Sequence, residues 1–168
     1  MRKKDVMSQS EVNRIKAFFA SLDIHPTYLE HEPVITSEEA AQTRGFQLKQ
    51  GIKALLFTDG NGWVVVDVPA DKKVDQKKVA AALGWSKGKI RMATPEEVME
   101  KTGCEIGAVP PFGHGQEIPL LVDVGVYNNE ESAFNIGLRT HSVKIKTALM
   151  KKVFAELKAR EGRFVKES

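Results

Sequence analysis

Two apolar runs joined by a short polar link constrain the fold of this chain most strongly. The runs cover residues 53–57 and 63–68, and Asp59-Gly60-Asn61-Gly62 lies between them. Glycine and asparagine readily adopt the positive φ values of tight turns, so the link favours an antiparallel hairpin. The second run is apolar on both faces, which indicates a strand in the middle of its sheet. The core is therefore expected to form around this hairpin.

The other segments alternate between helical and strand patterns. Apolar residues at helical spacing predict a helix over residues 8–22, and short strands are predicted over residues 27–31 and 118–123. A second hairpin is predicted around Gly137. Four further helices are predicted from capping residues at Thr36 or Ser37, Asp75, Thr94 and Thr147, and the last of them covers residues 147–158. The pattern favours a mixed α/β fold with a curved, barrel-like sheet and helices packed outside.

The composition is that of an ordinary globular protein. The 168 residues are 42% hydrophobic and 28% charged, so a single domain over residues 1–168 is expected. One cysteine, Cys104, excludes an internal disulfide and a thiolate metal cluster. No apolar run approaches the roughly 18 residues of a membrane span, and no secretory signal is recognisable, so a cytoplasmic location is expected. A net charge of +3 permits an anionic partner without requiring one.

A loop rich in glycine and proline follows the helix predicted at Thr94. Residues 102–113 contain three glycines and the pair Pro110-Pro111. Proline fixes φ and glycine permits positive φ, so the loop is expected to be stiff and unusual in its path. Such a loop can aim backbone groups into a cleft. A tight connection between two elements is the other interpretation of the same residues.

Few residues of the chain are suited to catalysis or to ligand binding. The four histidines are widely spaced, so no metal site is expected. Cys104 is a candidate nucleophile, although a lone cysteine is more often a packed side chain. Lys53 opens an apolar strand, so it either reaches solvent or faces an anion in a cleft. Asn135 and Ser142 lie on paired strands and either bind a ligand or serve in capping and pairing.

Several motifs occur in the order and at the spacing of one family. They are His31-Glu32-Pro33-Val34 with residues 36–41, the run 51–57 with its strand lysine, residues 68–71, residues 93–97, the Gly-x-x-x-Pro loop from Gly107 to Pro111, and the closing hairpin with Phe134-Asn135-Ile136-Gly137 and His141-Ser142. This ordered set runs from about residue 25 to about residue 150. It resembles the YbaK/prolyl-tRNA-synthetase-associated editing domains.

The resemblance implies a hydrolase that cuts the ester between a wrong small amino acid and the terminal adenosine of tRNA. It implies alanine, cysteine or serine as the amino acid, no cofactor, and the acceptor end of aminoacyl-tRNA as the partner. Lys53 then corresponds to the essential lysine, and the 107–111 loop borders the aminoacyl pocket. The residues expected to line the pocket with them are Thr36, Ile106, Ala108, Val109, Pro110, Pro111, Asn135 and Ser142.

The chemistry of an aminoacyl ester agrees with this small set of residues. The ester is already activated, so a positioned water or a substrate hydroxyl can attack it without a strong protein nucleophile. Backbone N–H groups near Gly107 and Ala108 are expected to face the developing oxyanion. Lys53 is expected to hold the phosphate or ribose of the terminal nucleotide.

Two other functions are compatible with the same fold. One is a tRNA-binding module without catalysis, whose affinity would fall steeply with salt. The other is a regulatory partner that docks on an aminoacyl-tRNA synthetase. The combination of Lys53, Gly107 and Pro111 favours retained activity over both, whereas no oligomeric state follows from the residues.

Overall fold

Four helices and eight strands lie within the part of the chain that the structure describes. This computed structural model describes residues 3–33 and 47–167. The helices are α1 (Lys3–Ser21), α2 (Gln76–Leu83), α3 (Pro95–Thr102) and α4 (Thr147–Glu156). The strands are β1 (Thr27–Glu30), β2 (Ile52–Thr58), β3 (Trp63–Pro69), β4 (Arg91–Met92), β5 (Leu120–Asp123), β6 (Glu131–Asn135), β7 (His141–Lys146) and β8 (Arg160–Gly162). Among these helices, none is both long and apolar enough to cross a membrane.

The predicted central hairpin is confirmed. β2 and β3 pair antiparallel over their whole length, and the Asp59 carboxylate accepts hydrogen bonds from the backbone N–H groups of Asn61 and Gly62 in the turn. β3 lies inside a five-stranded sheet of order β4-β2-β3-β5-β8, in which β3, β5 and β8 run parallel. β6 and β7 form the second predicted hairpin, and β1 joins it in a separate three-stranded sheet of order β1-β7-β6.

The expectation of a barrel-like sheet is wrong. Within residues 3–33 and 47–167, the two sheets are joined by one isolated parallel bridge between Gly51 and Ala133, and neither sheet closes. The ladder does not continue past this bridge. The loop after α3 contacts both sheets beyond it, because the Gly137 N–H donates to the Ala108 carbonyl while Val109 packs with Ala54. The chain therefore folds as a mixed α/β structure with two sheets.

Local signals placed most helices correctly. Asp75 caps α2, and Thr94 forms a capping box with Glu97 at the start of α3. The apolar face of α1 is buried as expected, although the helix begins before residue 8. The cap predicted at Thr147 is wrong: its hydroxyl lies 2.7 Å from the Ser132 hydroxyl in the core. The helix predicted at Thr36 lies outside the described residues.

The C-terminal segment completes the larger sheet. β8 pairs with β5, and the backbone N–H of Phe164 donates to the Asp123 carboxylate at 2.7 Å. Phe164 is buried in the cluster that packs α2 against this sheet. No apolar periodicity in the sequence indicated this strand, since most of its side chains are exposed.

Candidate functional site

The bridge between the two sheets sets the position of Lys53. Residues paired in register project to the same side, and alternate residues of a strand share a side. Gly51 is paired with Ala133 in parallel, so Lys53 and Asn135, each two residues further on, project to the same side. Two of the predicted site residues, far apart in the chain, thus project to the same side near the junction of the sheets.

Ser142 belongs to the same side of this junction. It is paired with Asn135 across the β6–β7 ladder, and both residues are buried. The intervening positions, Ile52 on β2 and Phe134 on β6, belong to the main hydrophobic core on the opposite side. The polar residues therefore face away from that core, as expected for side chains that line a site.

The environment of Lys53 favours an anionic ligand. Its side chain is partly buried on β2, opposite Val68 of β3. Burial lowers the pKa of the Lys53 ammonium group, the nearby Asp71 carboxylate opposes that shift, and Lys73 adds to it. Among the described residues, no carboxylate lies within ion-pair distance of this ammonium group. An incoming phosphate or oxyanion would supply the missing direct partner.

A histidine that sequence reasoning did not select lies next to Ser142. The Ser142 hydroxyl is 2.7 Å from His31 Nε2, and His31 Nδ1 is 2.8 Å from the Glu32 carbonyl oxygen. A carbonyl only accepts hydrogen bonds, so Nδ1 carries a proton and Nε2 of the neutral ring accepts one from the Ser142 hydroxyl. The oxygen of Ser142 is left able to accept a further hydrogen bond. His31 is the first residue of the first family motif, and this position was the sequence signal that could have identified it.

Gly107 is the exposed residue of the glycine and proline loop. Its φ is +85°, in the left-handed region that glycine adopts at little cost, while the next five residues are all buried. The Ala108 N–H donates to the Glu105 carbonyl at 3.0 Å, so in this structure it is engaged within the loop. The Gly107 amide is left as the candidate donor for an oxyanion.

The other loop residues hold the loop in place. Arg139 fastens it to the β6–β7 turn, donating to the Ile106 carbonyl at 2.8 Å and pairing with Glu105 at 2.8 Å. Pro110 and Pro111 are buried, and the Pro110 carbonyl accepts a hydrogen bond from His114.

The Val109 side chain packs among apolar residues away from Lys53. It lies in the cluster with Ala54 and Leu56, which project to the opposite side of β2 from Lys53. Val109 therefore supports the loop, and in this structure its side chain does not face the Lys53 side.

One other sequence candidate, Cys104, is not in this arrangement. Cys104 is fully buried, and burial, reinforced by Glu11, raises the pKa of its thiol to about 12. The interpretation of Cys104 as a packed side chain is confirmed. Thr36 lies outside the described residues.

Several known proteins are similar to this chain. A family model described as the aminoacyl-tRNA editing domain matches residues 31–153. The chain is 37% identical over 123 residues to the multifunctional Ser/Thr-tRNA deacylase ProXp-y of Escherichia coli K12, covering 70% of this chain and 72% of that protein. It is 35% identical over 99 residues to the proline–tRNA ligase of Thermosipho melanesiensis, covering 58% of this chain and 17% of the ligase. A solved structure proposed to be a trans-editing enzyme for prolyl-tRNA synthetase matches with a TM-score of 0.80 at 28% identity, covering 94% of this chain and 98% of that one.

Proposed function

Because this chain belongs to the aminoacyl-tRNA editing domain family, we propose that it is a trans-acting deacylase of tRNA mischarged with a small amino acid. The amino acid is alanine, cysteine or serine, and the name of the E. coli relative supports serine first. The observation that carries the proposal is the common side shared by Lys53, Asn135 and Ser142 at the junction of the sheets.

Lys53 is the group proposed to hold the 3′ end of the tRNA. Its ammonium group binds the phosphate or ribose oxygens of the terminal nucleotide and so orients the ester. Partial burial strengthens this contact, because charges attract more strongly where water is excluded. The Asp71 carboxylate favours the charged form of this group without forming a direct ion pair with it.

Hydrolysis then needs an attacking oxygen, an oxyanion donor and a route for one proton. The oxygen of water bonds to the ester carbonyl carbon, and the bond to the ribose oxygen breaks. The exposed Gly107 amide is the proposed donor to the oxyanion. Ser142 accepts a hydrogen bond from the water and passes a proton to His31 Nε2, and the proton returns to the leaving ribose oxygen. A hydroxyl of the substrate can replace water as the attacking group.

Selection among amino acids depends on the size of the pocket. An extra methylene is discriminated by only about 1–3 kcal/mol, so an editing pocket works mainly by excluding larger side chains. Buried prolines and the Arg139 contacts make the loop rigid, which supports this kind of exclusion. Ile106 is the partly exposed apolar side chain of the loop that is proposed to contact the amino acid.

The test is deacylation of a panel of mischarged tRNAs by the protein and by Lys53→Ala. The panel holds Ala-, Cys-, Ser- and Thr-charged tRNA. Loss of the ammonium group should lower kcat/KM by about 10–10²-fold, since a hydrogen bond to a charged group contributes about 1.5–3 kcal/mol. Lys87→Ala is the matched control, since Lys87 is exposed on the turn after α2.

Two results would contradict the proposal at different levels. Near-normal turnover by folded Lys53→Ala would remove the role of this lysine. Binding of tRNA by the unmodified protein without cleavage of any member of the panel would favour a non-catalytic module.

A further inference from the structure

A cavity of about 720 Å³ lies at one edge of the larger sheet. Its lining includes Pro69 at the end of β3, Asp123 at the end of β5, and Arg163 directly after β8. These are the carboxyl ends of three parallel strands. In open sheets with parallel strands, ligands commonly bind in the crevice outside those ends. The volume is also within the range of ordinary ligand sites.

Basic side chains dominate the charge of this cavity. The basic residues of its lining are Lys49, Lys72, Lys78, Arg163 and Lys166, and the acidic ones are Asp71, Asp123 and Glu167. The Asp123 carboxylate already accepts the backbone N–H groups of Gly125 at 2.9 Å and Phe164 at 2.7 Å. Glu167 faces Lys78 at 3.7 Å. Among the described residues, Asp71 is therefore the acidic group of the lining that has neither a backbone hydrogen-bond donor nor an ion-pair partner.

Four of the basic groups are available to a ligand. Lys49, Lys72, Arg163 and Lys166 are exposed, and none forms an ion pair with another described residue. They come from three separate segments: the turn before β2, the turn after β3 and the chain after β8. Like charges brought together in this way repel one another, so an anion in the cavity would relieve the repulsion.

The cavity lies close to Lys53. Lys53 is paired with Val68, and the following residue, Pro69, lines the cavity. Asp71 both acts on the Lys53 ammonium group and lines the cavity. An anionic chain that ends at Lys53 would therefore have its preceding charged groups close to the basic lining.

We propose that this cavity binds the phosphate backbone of the single-stranded acceptor end of tRNA, just before the esterified adenosine. The inference rests on the proposed function. Four available cations exceed what one phosphate group needs, so a run of two or three consecutive phosphates is the anion that fits. Binding of this kind depends on the release of counterions and falls with salt.

The test compares two triple variants with the same change of charge. Lys49→Ala/Lys72→Ala/Arg163→Ala removes three groups from the cavity, while Lys87→Ala/Lys89→Ala/Lys152→Ala removes three exposed lysines elsewhere. Affinity for uncharged tRNA is measured from 50 to 200 mM salt. Hydrolysis is measured with mischarged tRNA and with an aminoacyl-adenosine that carries no phosphate.

The cavity variant should bind tRNA about 10²-fold more weakly at 50 mM salt and several-fold more weakly at 200 mM salt. Its slope of log affinity against log salt should be smaller by about 2, since each single-strand phosphate contact contributes about 0.7. Its hydrolysis of aminoacyl-adenosine should equal that of the unmodified protein. An equal loss of tRNA affinity in the control variant, or an unchanged affinity and slope in the cavity variant, would overturn the inference.

Failure of the proposed function would give a different result. The unmodified protein would then hydrolyse neither mischarged tRNA nor aminoacyl-adenosine. The binding measurements with uncharged tRNA would still decide whether the cavity holds the phosphates. Binding of cytidine monophosphate as tight as that of tRNA would make the cavity a nucleotide site and would also overturn the inference.

Discussion

Replacement of Asp67 by asparagine should make the protein more stable at neutral pH. Asp67 lies on β3 between Ala54 of β2 and Val122 of β5, and it is fully buried. Neither of its carboxylate oxygens has a hydrogen-bond partner among the described residues. Burial therefore raises the pKa of this carboxyl well above its ordinary value and favours its protonated form in the folded protein.

The pH dependence of this effect has a definite sign. The unfolded chain releases the proton near the ordinary pKa of about 3.9, whereas the folded chain keeps it to higher pH. Between these two pKa values the folded state binds more protons, so the free energy of unfolding falls as pH rises. For one group this slope is at most about 1.4 kcal/mol per pH unit. The stabilisation is complete below the unfolded pKa and is lost towards the folded pKa.

Denaturant unfolding from pH 5 to pH 8 measures this effect directly. The free energy of unfolding of Asp67→Asn relative to the unmodified protein should increase with pH, because asparagine does not ionise. Asp123→Asn is a control, since its buried carboxylate accepts two backbone hydrogen bonds and the substitution should destabilise the protein. A difference between Asp67→Asn and the unmodified protein that is the same at every pH would refute the reasoning.

Two further predictions concern the site and the thiol. Ser142→Ala should lower kcat by about 10², the lower range for general acid–base catalysis, while loss of one hydrogen bond to His31 costs about 1 kcal/mol and a few degrees of Tm. Deacylation assays and thermal melts check this, and unchanged kcat would exclude the pair from catalysis. Burial raises the pKa of the Cys104 thiol to about 12, so a thiol reagent at pH 8 should modify the protein only after unfolding. Cys104→Ser should keep deacylase activity, and rapid labelling of the folded protein would contradict the packed environment.

Elements that depend on neighbouring residues were predictable. The β2–β3 turn and the cap of α2 each use partners a few residues away, Asp59 with Gly62 and Asp75 with Lys77. Such contacts involve little loop-closure entropy, so short motifs are enough to specify them. The burial of apolar residues on α1 followed from periodicity for the same reason.

Long-range pairings were not predictable from local pattern. The exposed strand β8 depends on parallel pairing with β5, and no hydrophobic signal marks it. Thr147 was predicted to cap a helix because threonine favours that position. In the folded chain it is buried, and its hydroxyl pairs with the Ser132 hydroxyl instead. The barrel expectation failed because closure requires a continuous ladder, whereas a single bridge joins the sheets in the described part of the chain.

The candidate site shows the same division. Residue chemistry made Lys53 and the polar pair on the second hairpin candidates, and the family resemblance added the glycine of the loop. Lys53 and the polar pair project to the same side because Gly51 pairs with Ala133. The Ala108 amide is not available to a ligand because it donates to the Glu105 carbonyl. Residue types specify which chemistry is available, while packing between distant segments sets which of those groups face the same space, because only burial of the assembled core determines strand register.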